Sequence, residues 1–238
     1  SKLLLFENRT IDGHAPYLPN RELSAYKMAG VDTDHEATTF EYALEEVRRG
    51  LHVHIREGSA AHNLKDIVEG IVRTGIDTEY FSFCTDDKHI EDILRDGHID
   101  YSVKMAVKLG LDPIRAIKMA TINTAKCYGL KHLGAISPGF QADFVVLDNL
   151  TDLNVTDVFY KGKRLNEDAP IRVRPCSHVL KHTVHLDKVK AERFLLPISK
   201  KKTHVIEIHA GQITTTDLTI SLPPTLNFEP FGGYSKIA

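Results

Sequence analysis

Four short β-prone runs of this chain each end in unusual polar residues, and a helical pattern follows each run. Alternation of this kind is typical of βα units around a parallel sheet or barrel. The loops that follow such strands lie together at the carboxyl ends of the strands, where we expect these polar groups to meet. The runs cover residues 9–12, 31–34, 51–55 and 80–84, and the polar groups are His14, His35, the loop Arg56-Glu57-Gly58-Ser59 and the pair Asp86-Asp87.

The helix after the second run is the most clearly marked in the sequence. Thr38 and Glu41 have the spacing of a capping box, and Gly50 ends the pattern. The apolar stripe of this helix consists of Phe40, Ala43, Leu44 and Val47. These signals predict an amphipathic helix that packs one face on the sheet.

Apolar spacing predicts further helices over residues 21–29 and 64–73. Another helix is predicted where Asp112 can cap the chain and Pro113 can occupy the first helical position. From Gly134 onward the pattern changes to short alternating strands and glycine turns, which predict a small β domain. The part from about residue 171 mixes β-prone runs with a cluster of lysines and shows no catalytic spacing.

Charge and composition exclude several classes of partner. The formal net charge is -2 and the basic residues are scattered, so no surface for nucleic acid or an anionic membrane is indicated. No apolar run is long enough to span a bilayer, and no secretion signal is visible at the start. The 3 cysteines are far apart, which favours a reducing compartment. We expect a soluble, cytoplasmic protein with a small-molecule partner.

The polar groups behind the strands have the composition of a catalytic metal site. Two imidazoles and one carboxylate, from His14, His35 and Asp86, can hold a divalent ion with a position left open for water. A bound ion lowers the pKa of that water from about 15.7 toward 7. Asp86 is then the candidate to take and return the proton, while Asp87, facing another way, is the candidate to bind substrate.

Plainer interpretations compete with these assignments. The pair Asp86-Asp87 could be a turn or a helix N-cap, although its spacing with the two histidines favours the metal site. Arg56, Glu57 and Ser59 form either a substrate-binding loop or a serine cap with a solvated ion pair. Among the 13 histidines, surface or core roles are favoured for His54 and His62, and His98 stays unassigned.

With these residues in view, the sequence resembles the bacterial and archaeal adenine deaminases of the amidohydrolase superfamily. The similarity covers about residues 1–165 well and the remainder less closely. Several long motifs in family order make the resemblance specific. They are DGHAP at 12–16, AGVDTDHE at 29–36, IREGSAA at 55–61, FCTDD at 83–87, DGHID at 96–100 and GAISPGFQADFVVLD at 134–148.

The resemblance implies a metal-dependent TIM barrel with a small β-sandwich that converts adenine and water to hypoxanthine and ammonia in purine salvage. His14 and His35 would bind one metal from the fifth and sixth strands. Asp86 would bind the other metal from the eighth strand and shuttle the proton, and Asp87 would contact N7 of the purine. The family is associated with Mn²⁺ or Fe²⁺ rather than Zn²⁺ alone, in a binuclear site, and we expect a homo-oligomer of the full-length enzyme.

The chain also departs from the family pattern. The His-x-His pair of the first strand and the bridging glutamate of the fourth strand are not present. We therefore expect an α/β chain with the second half of the barrel at 1–130, a β-sandwich portion at 131–170 and the beginning of a C-terminal α/β domain at 171–238. Such a fragment alone would be weakly active or inactive. The alternatives are another amidohydrolase reaction on a cyclic amide or amine, and an inactive fragment that serves only as an assembly partner.

Overall fold

Three parallel strands form the sheet of the first part of the chain. The computed structural model describes residues 2–6, 8–165, 175–177, 181, 183–186 and 188–237. Within these residues the sheet has the order β1-β2-β3. The strands are β1 (Thr33–Asp34), β2 (His52–Arg56) and β3 (Phe81–Cys84). Both pairings are parallel, and the connections between strands contain helices, as the sequence predicts for βα units.

The helices accompany this sheet in the order that the sequence predicts. Their bounds are α1 Asn20–Met28, α2 Phe40–Arg48, α3 Leu64–Thr74, α4 Ile90–Asp96, α5 Ile99–Lys108, α6 Pro113–Ala120 and α7 Ile122–Cys127. The predicted helices at 21–29 and 64–73 and the start at Pro113 are confirmed. The carboxylate of Asp112 caps α6 by accepting a hydrogen bond from the Arg115 amide at 3.0 Å.

Two local predictions are wrong in detail. The side chain that caps α2 belongs to Thr39, not Thr38, and it accepts from the amide of Tyr42. Thr39 has extended backbone angles, as an N-cap requires, so the helix begins one residue later than the capping box predicts. Residues 9–12 form no strand either. Only Asp12 pairs there, in a single parallel bridge to Thr33.

The two faces of the sheet differ in chemistry because strand residues alternate between faces. Val53, Ile55, Phe81 and Phe83 are buried in one apolar core together with residues of the helices. The alternate residues of β2 are polar: His52, His54 and Arg56. His54 pairs in register with Ser82 of β3, so these polar side chains share the face opposite the helices.

Antiparallel strands make up the rest of the described structure. β4 (Phe144–Leu147), β5 (Val155–Tyr160) and β6 (Lys163–Arg164) form a three-stranded sheet, and β7 (Lys202–Ile208) pairs with β8 (Thr215–Ser221). Short 3₁₀ helices cover Lys2–Phe6 and Ala191–Phe194. The chain divides into two compact units, residues 1–167 with 209–214 and residues 168–208 with 215–238. Of the described helices, none has the length and apolar character needed to cross a membrane.

Candidate metal centre

The structure brings His14 and His35 together at the carboxyl end of the sheet. His35 directly follows β1, and His14 lies two residues beyond the bridge that joins Asp12 to β1. Their ring centroids are 5.3 Å apart, and the rings meet edge to face. The two imidazoles that sequence spacing predicts to converge therefore do so.

A carboxylate that the sequence analysis did not assign, Glu36, lies between these two imidazoles. Its Oε1 is 2.9 Å from Nε2 of His14 and 3.4 Å from Nε2 of His35. One donor atom from each of these three residues lies within 4.8 Å of the other two. Glu36 is only 2% exposed, whereas His14 is 69% exposed, so the cluster opens to the outside through His14. The only sequence signal for Glu36 is its place in the run Asp-His-Glu.

Arg56 connects this cluster to Asp86. Its guanidinium donates to both oxygens of Glu36, at 3.0 and 3.3 Å, and to Oδ2 of Asp86 at 2.5 Å. Asp86 takes a positive φ of 46°, in the left-handed region, at the turn directly behind β3. Among the described residues the group of converging donors is His14, His35 and Glu36, and Asp86 reaches it through Arg56.

Asp12 orients the imidazole of His35. The carboxylate lies 3.3 Å from Nδ1 of His35 and also accepts a hydrogen bond from the Thr33 hydroxyl. The hydrogen bond with His35 lowers the pKa of Asp12 to about 2, and the same bond raises the pKa of His35 above its usual value. A carboxylate on the far ring nitrogen is the usual support of a metal-binding histidine, because it leaves the other nitrogen to face the ion.

Asp34 fixes the backbone on either side of the cluster. Its Oδ1 accepts from the amide of Ala15 and its Oδ2 accepts from the amide of Glu36, both at 2.7 Å. The Tyr42 hydroxyl donates to the carbonyl of Ala15 at 2.7 Å, so α2 supports the same loop. Asp34 is fully buried and was not assigned from the sequence. These contacts hold His14 and Glu36 in place without touching either side chain.

A cavity of about 220 Å³ lies beside the cluster. His35 and Asp86 both line it, so the structure places two of the predicted metal ligands on one cavity. Burial raises the pKa of the Cys84 thiol to about 12, which makes this thiol a poor nucleophile at neutral pH. The cavity is lined by Asp12, His35, His54, Phe83, Cys84, Asp86, Thr124 and Tyr128.

Asp87 turns away from its neighbour toward the loop at residues 58–61. Its Oδ2 accepts a hydrogen bond from the Ala60 amide at 2.7 Å. A Cβ on Gly58 would lie 1.7 Å from Oδ1 of Asp87, so a larger residue at position 58 would displace the Asp87 carboxylate. The sequence prediction that Asp86 and Asp87 face different ways is confirmed, and a substrate contact by Asp87 stays a prediction.

The loop side chains predicted to bind substrate have protein partners. Glu57 is buried and its Oε1 lies 2.7 Å from Nδ1 of His62. The Ser59 hydroxyl donates to Asp92 and accepts from the His89 amide at 2.8 Å, which ties the loop to α4. Arg56 is occupied by Glu36 and Asp86, as described above. Roles for Arg56, Glu57 and Ser59 in substrate binding therefore also stay predictions.

Comparison with known proteins identifies relatives of this chain. Residues 2–165 match the family model described as the amidohydrolase family. The chain is 50% identical over 237 residues to the adenine deaminase of Desulfitobacterium hafniense, which covers 99% of this chain and 42% of that protein. It is 38% identical over 246 residues to the adenine deaminase of Petrotoga mobilis, again spanning 42% of the relative.

Solved structures share the fold of this chain at low sequence identity. A β-aspartyl dipeptidase of Fervidobacterium islandicum AW-1 superposes with a TM-score of 0.52 at 17% identity, over 71% of this chain and 48% of that one. This likeness concerns the fold alone. The chain spans less than half the length of the curated relatives that it matches.

Proposed function

The chain belongs to the amidohydrolase family, and on this premise we propose that it supplies part of the active site for the hydrolytic deamination of adenine to hypoxanthine and ammonia. The single observation that carries the proposal is the convergence of His14, His35 and Glu36 behind the strands of the parallel sheet. The names of the relatives supply the substrate. Because the chain spans 42% of their length, the activity is proposed for the complete enzyme.

The residues of the cluster fit a divalent metal. Imidazole nitrogens and a carboxylate are the donors that Mn²⁺, Fe²⁺ and Zn²⁺ accept. Asp12 supports the ring of His35 in the way that metal-binding histidines are usually supported. We propose His14, His35 and Glu36 as ligands contributed by this chain, with Mn²⁺ or Fe²⁺ as the ion and a second ion in the complete enzyme. Asp86 stays our candidate for a ligand of that second ion.

Different residues of the site are proposed for proton transfer, for positioning and for substrate binding. A divalent ion held by His14, His35 and Glu36 would supply Lewis-acid activation of water at neutral pH. Asp86 faces the same cavity as His35 and can take a proton from the attacking water and return it to the departing amine. Arg56 holds Asp86 in position through its 2.5 Å contact and balances the charge of buried Glu36. Asp87, Arg56, Glu57 and Ser59 are the proposed substrate contacts.

The wider assignment follows from the same premise. We propose that residues 1–130 form the second half of the barrel, that 131–170 belong to a β-sandwich, and that 171–238 begin a C-terminal domain. A cytoplasmic enzyme of purine salvage that assembles as a homo-oligomer fits these assignments. The chain alone is then weakly active or inactive, because the rest of the barrel is needed to close the sheet.

Complementation tests the proposal. The chain is mixed with, or joined to, the part of the Desulfitobacterium hafniense adenine deaminase that it does not cover, with Mn²⁺ present. Ammonia and hypoxanthine release from adenine is expected, and the double variant His14→Ala/His35→Ala should abolish it. His204→Ala, at an exposed histidine of the other compact unit, is the matched control and should retain activity.

Two further outcomes separate the alternatives. Ammonia from a panel of other cyclic amides and amines, with none from adenine, would assign a different amidohydrolase reaction. A folded, metal-loaded assembly that acts on none of the panel would leave only the role of an assembly partner. Within an active enzyme, Asp86→Asn should lower kcat, whereas Asp87→Asn should mainly raise KM, and the reverse pattern would exchange their roles.

A further inference from the structure

A continuous chain of four polar groups runs along the face of the sheet opposite the helices. Three of them, His52, Ser82 and His54, are buried, and the fourth, Tyr128, is 43% exposed. Oγ of Ser82 lies 3.0 Å from Nε2 of His52 and 2.5 Å from Nδ1 of His54. On its other side, Nε2 of His54 lies 3.0 Å from the hydroxyl of Tyr128. The rings of His54 and Tyr128 stack with an interplanar angle of 2°, which holds this last contact in place.

The two ends of this chain open into different cavities of the same compact unit. Tyr128 and His54 line the cavity of about 220 Å³ that also contains His35 and Asp86. His52 lines a second cavity of about 430 Å³, together with Lys27, Glu79 and other charged residues. Ser82 is fully buried between them. No described residue hydrogen-bonds Nδ1 of His52, so this nitrogen is left to the second cavity.

Each member can both accept and donate one proton. Burial lowers the pKa of His52 to about 4 and lowers that of His54, so both imidazoles are neutral near pH 7 and carry one N–H each. Burial raises the pKa of Tyr128 to about 12, so its hydroxyl keeps its proton. A serine hydroxyl has a single hydrogen, which it can give to only one of its two imidazole neighbours. The row of hydrogen bonds among these four groups therefore has two arrangements, in which every bond points in opposite directions.

From this geometry we propose that His52, Ser82, His54 and Tyr128 form a proton relay between the cavity of the candidate active site and the second cavity. A proton that binds Nδ1 of His52 releases the one on Nε2 to Ser82. Ser82 passes its own proton to Nδ1 of His54, and Nε2 of His54 passes its proton to Tyr128. Tyr128 finally gives up its hydroxyl proton to an acceptor in the smaller cavity. Every group ends neutral, and one proton has crossed.

The relay rests on the proposed function and adds to it a route for protons. Hydrolytic deamination takes one proton from the attacking water and delivers one to the departing amine. In this scheme Asp86 passes the proton of the attacking water outward through the relay and receives another inward before it protonates the departing amine. The second passage restores the arrangement that the first reversed. Asp86 handles the proton beside the substrate, and the relay exchanges it with water beyond the cavity.

Kinetics of the complemented enzyme test the relay. Ser82→Ala removes the central oxygen, and we expect kcat in weak buffer to fall by about 10²-fold with KM little changed. Added imidazole, a small proton carrier, should restore part of the rate. Tyr128→Phe keeps the ring that stacks on His54 but removes the hydroxyl. It should therefore show the same fall in kcat and the same partial recovery with imidazole. Ser102→Ala removes a buried hydroxyl without a hydrogen-bond partner among the described residues, and should stay within about 2-fold of the unsubstituted enzyme.

Unchanged kcat in Ser82→Ala and Tyr128→Phe would overturn the relay, as would a loss that imidazole does not restore in a folded variant. Nitrogen-15 NMR of the histidines in the 238-residue chain gives a readout that needs no activity. Exchange of both His52 and His54 between tautomers is expected, with each fixed in one tautomer in Ser82→Ala. Fixed tautomers without the substitution would contradict the relay. Absence of ammonia from adenine with tautomer exchange intact would instead reject only the proposed reaction.

Discussion

At the scale of single residues, Glu36 is the side chain on which the candidate metal centre most depends. It is the only member of the cluster that contacts both imidazoles, and it is held by Arg56 at 3.0 Å. Glu36→Gln keeps the shape but removes the charge that a divalent ion requires. We expect Mn²⁺ affinity to fall by about 10-fold or more, measured by titration calorimetry.

Glu41→Gln is the matched control for that measurement. Glu41 is exposed, and its ion pair with Arg73 is 3.4 Å long at the surface. This substitution changes the net charge by the same amount as Glu36→Gln without touching the cluster, so the affinity for Mn²⁺ should be retained. Equal affinities of the Glu36→Gln and Glu41→Gln variants would remove Glu36 from the proposed ligands.

Glu46 provides a second prediction at this scale, through pH. Burial raises its pKa from 4.5 to about 10, and the negative charge of Asp34 adds to the rise. Its carboxyl oxygens have no hydrogen-bond partner among the described residues. Between these two pKa values the folded state holds a proton that the unfolded state has lost, so stability falls as pH rises. The slope can reach about 1.4 kcal/mol per pH unit for one proton.

Urea unfolding at pH 6 and pH 9 measures this effect. Glu46→Gln should flatten the decline, because the amide has no proton to lose in this range. Glu45→Gln is the neighbouring control: ion pairs with Arg49 and Arg48 lower the pKa of Glu45, so its contribution is lost only as pH falls, below the tested window. A decline that persists unchanged in Glu46→Gln would show that another group causes it.

Sequence reasoning predicted that the imidazoles of His14 and His35 converge, and it did not assign the carboxylates that contact or support them. His14 and His35 were identified because the carboxyl ends of parallel strands share one face. Asp12, Asp34 and Glu36 adjoin the predicted ligands in the chain, but adjacency alone does not show which carboxylate faces an imidazole. Their roles follow from side-chain directions and from long-range contacts such as that between Glu36 and Arg56.

At the scale of elements, the packing of α2 on α3 determines how Gly70→Ala changes stability. Helix propensity alone predicts the opposite sign. A Cβ on Gly70, in the middle of α3, would lie 2.0 Å from the ring of Phe40 in α2. Propensity alone predicts that Gly70→Ala stabilises the helix by about 1 kcal/mol. Overpacking against a buried ring costs about 1–3 kcal/mol, so we expect net destabilisation, measured by urea unfolding.

A double substitution distinguishes this clash from a general defect. Phe40→Leu replaces the ring that the new methyl group meets. The loss of stability in Phe40→Leu/Gly70→Ala should therefore be smaller than the sum of the two single losses. Strict additivity, or a more stable Gly70→Ala, would mean that the helices separate without cost.

The success of element prediction varied with how local the signal was. α3 and α6 were predicted correctly because apolar spacing and the Asp112 cap are properties of neighbouring residues. The strand expected at 9–12 is reduced to the single bridge of Asp12, because strand formation depends on a partner elsewhere in the chain. The cap of α2 was misplaced by one residue because adjacent threonines, Thr38 and Thr39, offer the same side chain.

At the scale of the whole molecule, the proposal that residues 1–130 are the second half of a barrel rests on sequence motifs. Periodicity indicates βα units, but it does not count the strands that close a sheet. The family match over residues 2–165 and the compact unit of residues 1–167 with 209–214 agree on where the candidate site lies. All three converging donors belong to that unit.

Because all three donors lie in this unit, we expect metal binding to stabilise the chain through the unit of residues 1–167 with 209–214 alone. An ion that binds only the folded state stabilises it by about 2.7 kcal/mol at a concentration 100 times Kd. Mn²⁺ should therefore raise the thermal midpoint of the full chain, and of a chain ended after residue 167, by similar amounts. His35→Ala should abolish the rise in both, and His204→Ala should preserve it in the full chain. A shortened chain that gives a folded circular dichroism spectrum but shows no rise with Mn²⁺ would place a required donor outside residues 1–167.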